Sequence, residues 1–328
     1  MNRRGVLRLA VVVVASLRTS TPWAQDAAAV VRRVGVLAPS TRANEDITLK
    51  PFFDEMQRLG WIEGRTIAYD RVFADDRHQD LDTLAASLVA RQPELIYAPP
   101  QQAAMAARRA TSVIPIVFGT GTDPVGIGLV SSLARPGGNV TGVVSVVDSL
   151  APKRIGLLRE MLPRVRRIGL LGDRSDSRMA IERTALAPVA SARGFSVIVG
   201  EASNPVEFDA AVNRLIGQGV EVIMATTSIT FNLRTRLVDI ATRSRVPVVG
   251  SLGGLAEAGA LFSYGASISD QLRRSAQLAD KILRGARPAD IPVEQPTSFE
   301  LMINLGTAKK LGIAIAPSLL QRADKVIQ

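Results

Sequence analysis

The chain of 328 residues contains no cysteine, and this absence removes several chemistries at once. It excludes a disulfide bond, a thiolate nucleophile, a zinc–thiolate site and a lipid anchor on cysteine. Only one histidine is present, His78, in the polar run 75–80. That run predicts an exposed loop leading into a helix, and a histidine catalyst would need a positioned partner.

Aromatic residues make up only 4% of the chain, too few for a surface that stacks the bases of single-stranded nucleic acid. The formal net charge is +10, but the basic residues are scattered and form no dense arm. A solvated basic surface explains this distribution better than nucleic-acid binding. We therefore expect no nucleic-acid partner.

Motifs of the common catalytic sites are also missing. The Gly-x-Gly at residues 119–121 fails as a dinucleotide fingerprint because Pro124 occupies the third glycine position. Residues 250–253 do not form a nucleophile elbow, and no histidine is available to serve one. Asp173 and Asp176 lack the further acidic residues that a hard metal ion would want. We expect a protein that is not an enzyme, with no catalytic residue, cofactor or metal site.

The first 29 residues have the pattern of an export signal, with a basic start and a short apolar run at residues 9–17. Small residues at Ala24 and at 27–29 offer cleavage sites. The apolar run is too short to cross a bilayer, which takes about 20 helical residues. Residues 2–8 also approximate a twin-arginine signal, so that route and the general one both stay open. We expect a soluble, periplasmic mature protein that is not membrane-embedded.

From residue 33 the chain alternates short β-branched runs with longer amphipathic stretches. The first predicted strands are residues 34–38, 67–73, 95–98, 114–118 and 140–144. Helices are predicted between them, including residues 46–59, which end at Gly60 as a C-cap, and residues 81–91. Strand, helix and strand at this spacing predict a parallel sheet that is covered on both faces.

The pattern then restarts. The second set of predicted strands is residues 168–172, 195–199, 222–225, 246–249 and 260–263, with helices at about 177–193, 205–217 and 231–244. The sequence therefore predicts an α/β protein with two doubly wound parallel-sheet lobes joined by a hinge. The expected N-terminal lobe is 30–146 plus about 266–296, and the C-terminal lobe is 147–265. Residues 297–328 stay without a lobe, because such folds cross the hinge more than once.

Small polar residues follow most of the predicted strands, at the sheet edge where doubly wound proteins bind ligands. Such residues grip a carboxylate or another polar group through hydroxyl and main-chain N–H groups. Ser, Thr and Asp before a helix are also ordinary N-caps, so each loop has a second explanation. The loops are residues 39–41, 99–102, 119–124, 173–175 and 226–228, with Ser251 and Tyr264.

Several stretches carry a resemblance to a known family. They are residues 114–118 (IPIVF), 123–130 (DPVGIGLV), 131–142 (SSLARPGGNVTG), 263–265 (SYG), 293–305 (VEQPTSFELMINL) and 317–324 (PSLLQRAD). Together they closely resemble the ABC-transporter substrate-binding family that includes bacterial tryptophan- and tyrosine-binding importers. The resemblance covers residues 33–328 and implies the type I periplasmic-binding fold.

The resemblance implies a protein that binds a small molecule, an aromatic or branched amino acid, for an ABC permease and its ATPase. It implies ligand contacts in the cleft from Ser40, Gln101, Thr120, Thr122 and Asp123 on one side. From the other side it implies contacts from Asp173, Thr226, Ser228, Ser251 and Tyr264. The ligand carboxylate would meet Thr120 and Thr122. We expect a monomer.

One alternative function stays open, a periplasmic ligand-sensing module for a chemoreceptor or sensor kinase, because it would share the fold. The ligand also stays open, because two loops depart from the family. Residues 98–100 are Ala-Pro-Pro where many members have Gly-Thr-Pro, and Asp173-Arg174 replaces an Asn-Pro turn.

Overall fold

The computed structural model describes residues 31–145, 150–250 and 254–328, without the side chains of Ser177 and Ser228. The predicted export signal at residues 1–29 therefore lies outside the described residues. Two sheets, each with helices on both faces, are present in the described part. This confirms the predicted architecture of two doubly wound α/β lobes.

The first sheet contains five parallel strands in the order β2-β1-β3-β4-β5. They are β1 (Arg32–Ala38), β2 (Ile67–Phe73), β3 (Leu95–Tyr97), β4 (Ile116–Gly121) and β5 (Val140–Val144). The helices between them are α1 (Arg42–Thr48), α2 (Lys50–Arg58), α3 (Leu81–Ala90) and α4 (Gln101–Ala110). The single helix predicted at 46–59 is thus wrong. The chain turns at Leu49, and Pro51, which lacks an N–H group, stands in the first turn of α2.

The second lobe repeats this strand order as β7-β6-β8-β9-β10. Its strands are β6 (Arg167–Gly172), β7 (Ser196–Glu201), β8 (Val222–Ala225), β9 (Val248–Gly250) and β10 (Phe262–Ala266). Its helices are α5 (Ala151–Met161), α6 (Ser177–Ala192), α7 (Pro205–Gly217), α8 (Ser228–Asn232) and α9 (Arg234–Arg243). The helix predicted at 231–244 is in fact divided between α8 and α9, which meet at Leu233.

The remaining chain serves both lobes. Its elements are α10 (Ile268–Leu283), β11 (Phe299–Asn304), α11 (Leu305–Leu311), α12 (Pro317–Gln321) and β12 (Lys325–Ile327). Helix α10 packs on α2 and β4 of the first lobe. Strands β11 and β12 extend the second sheet beyond β10, and β11 runs antiparallel to β10, which the all-parallel prediction did not include. Short 3-10 helices occupy His78–Asp80, Leu255–Ala258 and Pro288–Asp290.

Each sheet is buried between two apolar layers. In the first lobe, Phe118 belongs to the layer under α3 and α4. Phe52 and Tyr97 belong to the opposite layer, under α2 and α10, and stack with ring centroids 3.7 Å apart. In the second lobe, Phe262 and Phe208 lie in the two corresponding layers. These layers hold the strand ends in fixed positions at the edge of each sheet.

The chain passes between the lobes three times. It passes from β5 to α5, from β10 to α10, and from Glu294, which bridges to Val143 of β5, to β11. Each lobe is therefore built from separate stretches of sequence.

Candidate functional site

The strand order of each sheet marks the place where a ligand is expected. In the first sheet the order reverses between β1 and β3, and in the second between β6 and β8. Doubly wound proteins bind ligands beyond the carboxyl ends of the strands at such a point. The segments that follow these four strands are the ones to inspect.

A cavity of about 80 Å³, partly open to solvent, lies at this place. Pro39 follows β1, Pro99 and Pro100 follow β3, and Arg178 and Phe231 follow β6 and β8. The complete lining is Pro39, Glu45, Thr48, Leu49, Pro99, Pro100, Thr120, Ser145, Arg178, Phe231, Asn232, Ile268 and Leu272. Both lobes therefore contribute to one binding space, which we call the interlobe cavity.

The lining of the interlobe cavity combines apolar surface with two charged groups. Seven of its thirteen residues are apolar, and its charged residues are Glu45 and Arg178. Among the described residues, no group of three or more His, Cys, Asp and Glu side chains is arranged to hold a metal ion. The lining suits a small organic molecule with a few polar groups.

Glu45 enters the cavity from α1 in the first lobe. Only 6% of the residue is exposed, and this burial raises the pKa of its carboxyl from 4.5 to about 7. Asp76 and Asp46 raise the pKa further, while the main chain at Ser40 lowers it. The carboxyl is therefore close to half ionised at neutral pH, and its ionisation responds to any cation placed beside it.

Arg178 enters the cavity from the first turn of α6 in the second lobe. Only 7% of the residue is exposed, and burial lowers the pKa of its guanidinium. Asp176 caps α6 by accepting a hydrogen bond from the Arg178 main-chain N–H at 3.0 Å. No described residue accepts a hydrogen bond from the Arg178 side chain or lies in an ion pair with it. An arginine stays protonated at any ordinary pH, so this is a permanent buried cation.

Asp176 and, one turn further along α6, Glu182 raise the pKa of Arg178 through space against the effect of burial, but neither makes an ion pair with its side chain. Both carboxylate oxygens of Glu182 accept hydrogen bonds from Nη1 of Arg154, at 2.7 and 2.9 Å. Arg154 is 2% exposed and Glu182 0%, and Nε of Arg154 also donates to the Tyr264 carbonyl at 3.0 Å. The Glu182 carboxylate is thus bonded to Arg154, while the side chain of Arg178 lines the interlobe cavity.

Three hydroxyl groups belong to residues of the lining. Thr120, which was predicted to bind ligand, donates to the Pro99 carbonyl at 3.3 Å. The Ser145 hydroxyl donates to Oε1 of Gln271 at 2.7 Å. The Thr48 hydroxyl is buried and has no hydrogen-bond partner in the described part of the chain. Thr120 is thus the predicted site residue that the structure places in the lining.

The other predicted residues of the first lobe make contacts within that lobe. The hydroxyl of Ser40 is buried and accepts a hydrogen bond from a side-chain amide of α1. The Gln101 side chain accepts from the Thr122 N–H at 2.8 Å. Asp123 accepts from the Gly126 N–H at 2.8 Å, the bonding of a helix cap, although no helix follows it.

The predicted residues of the second lobe follow the same pattern. Asp173 accepts from the N–H and the hydroxyl of Ser175, at 2.8 and 2.7 Å. The Thr226 hydroxyl donates to a main-chain carbonyl of β6 at 3.2 Å. Tyr264 is partly buried against the core of its lobe. Two further predicted side chains lie outside the described part of the structure, those of Ser228 and Ser251.

The lobes also touch beside the cavity. Nδ1 of His78 lies 3.8 Å from Oδ2 of Asp173, across the cleft. Arg234 donates to Oδ1 of Asn44 at 3.5 Å, and its guanidinium lies over the Phe231 ring, 4.6 Å from the centroid. The run around His78 leads into α3 as predicted, but its histidine is an interlobe contact with a side chain only 24% exposed.

The sequence interpretation missed the two charged residues of the cavity. Glu45 and Arg178 lie in helices, where a charged side chain is normally assigned to the solvated face. One local signal was available, because each is on the helix that follows the first strand of its lobe. That helix begins at the switch point, so a charged residue in it deserves the same weight as one in a loop.

The family comparison covers nearly the whole described chain. The model of the family described as "ABC transporter substrate binding protein" matches residues 33–327. A tyrosine-binding protein of Clostridioides difficile is 27% identical over 280 residues, which cover 85% of this chain and 81% of that protein.

Solved structures agree with this result. An ABC domain from Streptococcus pneumoniae in complex with L-Trp superimposes with a TM-score of 0.83, at 26% identity, over 90% of this chain and 100% of that one. A ligand-free, open substrate-binding protein from Clostridium difficile, also 26% identical, gives 0.63 over 91% of this chain and 100% of that one. The chain belongs to the family of ABC transporter substrate-binding proteins.

Proposed function

We propose that this chain binds an amino acid, aromatic or branched, in the interlobe cavity and presents it to an ABC permease. The observation that carries the proposal is a single cavity lined by the switch-point segments of both lobes. A ligand that touches both walls favours the closed arrangement, because it gains more contacts there than in an open one. Relatives described as tyrosine-binding and as a complex with L-Trp support an amino acid as the ligand.

The shape of the lining supports the same ligand class. Leu49, Phe231, Ile268 and Leu272 offer apolar surface for a side chain. Thr120 and the nine other strand-end residues remain proposed ligand contacts, and Thr120 has the strongest support because it lines the cavity. Those of the other nine that form the hydrogen bonds described above would also hold the loops at the edge of the interlobe cavity in place.

Family membership makes a small-molecule ligand, a permease and an ATPase the partners of this protein, and it places the family's work outside the cytoplasm. In the described part of the chain, no helix has both the length and the apolar character needed to cross a bilayer. We propose further a periplasmic monomer without enzyme activity, released by cleavage of the signal in residues 1–29. The twin-arginine and general routes both remain candidates for its export.

We also propose the lobe boundaries expected from the sequence, 30–146 with about 266–296, and 147–265. Support comes from α10, which packs on the first lobe. For residues 297–328 we propose the second lobe, because β11 and β12 are strands of its sheet.

The test is a calorimetric titration of the exported, mature protein with each of the twenty amino acids. We expect one or a few of them to bind, and Thr120→Val to weaken that binding by removing a hydroxyl from the wall. Thr184→Val, at an exposed residue outside the lining whose hydroxyl donates to the Ala180 carbonyl at 2.9 Å, serves as the matched control. Absence of heat and of any thermal stabilisation with all twenty would contradict the proposed function.

A further inference from the structure

We propose that Arg178 binds the carboxylate of the ligand and Glu45 its cationic amino group, so that the interlobe cavity selects a zwitterion. This inference rests on the proposed function and adds an orientation and a selection rule to it. It assigns the two charged ends of the ligand to two helices, α6 and α1, and leaves the strand-end hydroxyls a secondary part.

Arg178 is a residue with 7% exposure whose guanidinium has five N–H donors, and no described residue accepts a hydrogen bond from them. A buried cation without a hydrogen-bonded acceptor is unfavourable. Asp176 and Glu182 favour its charged form through space, but Asp176 accepts from the main chain of α6 and Glu182 from Arg154. An anion that enters the cavity would satisfy these donors, and a carboxylate matches the planar fork of arginine in two parallel bonds.

Arg178 lies in the first turn of its helix. It is the second residue of the 16-residue helix α6, and the N-terminus of a helix carries a partial positive charge. The helix end and the guanidinium therefore act on the same side of the cavity. Asp176 already caps the main chain there, at 3.0 Å, so the helix end alone does not require a ligand. The unpartnered side chain does.

Glu45 lines the interlobe cavity on the side of the first lobe. Every acidic neighbour that acts on it disfavours its ionised form, namely Asp46 on its own helix and Asp76 in the loop after β2. Tyr97 of β3 faces it as well and has its own pKa raised by burial and by Glu45. Arg178 is the charged group on the other side of the cavity. An amino group beside Glu45 would stabilise its carboxylate, which the first lobe by itself does not.

A proton balance follows from this arrangement. Without a cation, the pKa of Glu45 is about 7, so most molecules carry a proton there at pH 6. When an ammonium group binds, the carboxyl ionises and that proton passes to the solvent. Binding should therefore release close to one proton at pH 6 and almost none at pH 8. Affinity for a zwitterion should rise with pH up to about 7 and then level off.

The experiment uses L-tyrosine and L-tryptophan, each with two analogues, the α-amide and the acid that lacks the amino group. We expect Arg178→Met to weaken amino-acid binding by about 100-fold and to leave amide binding unchanged. We expect Glu45→Gln to weaken amino-acid binding by about 10-fold, to leave binding of the des-amino acid unchanged, and to abolish proton release at pH 6. Calorimetry in two buffers of different ionisation enthalpy counts the protons.

Matched controls change neighbouring charges outside the cavity. Arg174→Met and Asp46→Asn alter exposed residues on the same two segments. Arg174→Met should bind as the wild type does, and Asp46→Asn, which removes the smallest of the charge effects on Glu45, should differ from it by less than about two-fold. Arg178→Lys keeps the charge without the fork and should fall between wild type and Arg178→Met. Thermal unfolding of each variant establishes that it is folded.

The outcomes separate the two proposals. Amino-acid binding that is insensitive to both substitutions overturns this inference and leaves the proposed function standing. Equal losses for all three forms of the ligand also overturn it, since they would show that Arg178 and Glu45 only shape the cavity. If no amino acid binds the wild type, the proposed function and this inference fail together.

Discussion

The two lobes share one strand order but place opposite charge at the same topological position. In each, the helix after the first strand carries a charged residue into the interlobe cavity, Glu45 on α1 and Arg178 on α6. The guanidinium is permanently charged, whereas burial and acidic neighbours hold the pKa of the carboxyl at about 7. The fold thus fixes where a charged group enters the cavity, while the residue type and its local surroundings decide whether that charge is constant or titratable.

The largest expected effect on the free energy of unfolding comes from the buried Arg154–Glu182 pair of the second lobe. Glu182→Leu leaves Arg154 buried without its carboxylate and should lower the free energy of unfolding by about 3–5 kcal/mol. The double substitution Arg154→Met with Glu182→Leu should recover most of this loss. In the first lobe, Asp54→Ala breaks the exposed ion pair with Lys50 and should cost less than about 1 kcal/mol. Urea unfolding measures the stability of all three variants. Similar losses for Glu182→Leu and Asp54→Ala would contradict the expected difference between a buried and an exposed ion pair.

The next effect is the pH dependence of the free energy of unfolding that Glu45 of the first lobe produces. The folded-state pKa of Glu45, about 7, lies above its ordinary value of 4.5. Between these values the folded protein holds a proton that the unfolded chain has lost, so the free energy of unfolding falls as pH rises. The loss should reach about 3 kcal/mol above pH 7 and be absent below pH 4.5.

The variant Glu45→Gln isolates this term. It should match the wild type near pH 4.5 and be the more stable protein above pH 7, because it has no carboxyl to ionise. Asp46→Asn, the exposed neighbour, should leave the pH profile almost unchanged. Parallel profiles for wild type and Glu45→Gln would show that Glu45 does not titrate in this range.

A smaller effect on the free energy of unfolding is expected from removing the charge of Arg178 in the second lobe. Arg178→Met replaces a desolvated cation by an apolar side chain and should raise the free energy of unfolding by about 1–2 kcal/mol without ligand. The same variant should lose the stabilisation that a bound amino acid gives to the wild type. Differential scanning calorimetry with and without ligand measures both. A clear loss of stability without ligand would indicate that Arg178 has a partner that holds the fold together.

The smallest effect is expected at the contact beside the cavity. His78→Ala removes the ring whose Nδ1 lies 3.8 Å from Asp173 and should change ligand affinity by less than about five-fold, because a contact at this distance from a partly exposed side chain is weak. Arg77→Ala, whose side chain pairs with Asp80 inside the first lobe, is the control. Small-angle scattering should show that both variants still close on a ligand. If His78→Ala alone failed to close on the ligand, the contact between His78 and Asp173 would be a main determinant of lobe closure, contrary to this prediction.

The parallel strands were predictable because β-branched runs of four to seven residues lay between clear helical stretches, and 67–73, 140–144 and 222–225 agree with the observed bounds. The position of the interlobe cavity was predictable too, since strand order alone defines the switch points. The divided helix at Leu49 was not, because an apolar residue continues the helical pattern across the turn.

The charges of the cavity were the hardest part to predict. Burial of Glu45 and of Arg178 depends on the packing of one lobe against the other, which no local pattern encodes. The roles of the polar loop residues are hard to predict for a physical reason, since the same residue types cap helices and bond to neighbouring main chain, as Gln101 does with Thr122.

The three passages of the chain between lobes limit how this protein can be dissected. Neither lobe is a single contiguous module, since α10 completes the first from beyond β10 and β11 completes the second from beyond α10. A truncation at residue 145 would expose the layer that contains Phe52 and Tyr97 by deleting α10. A half-protein intended as a minimal sensor would need residues 31–145 fused to residues 266–296 through an artificial linker.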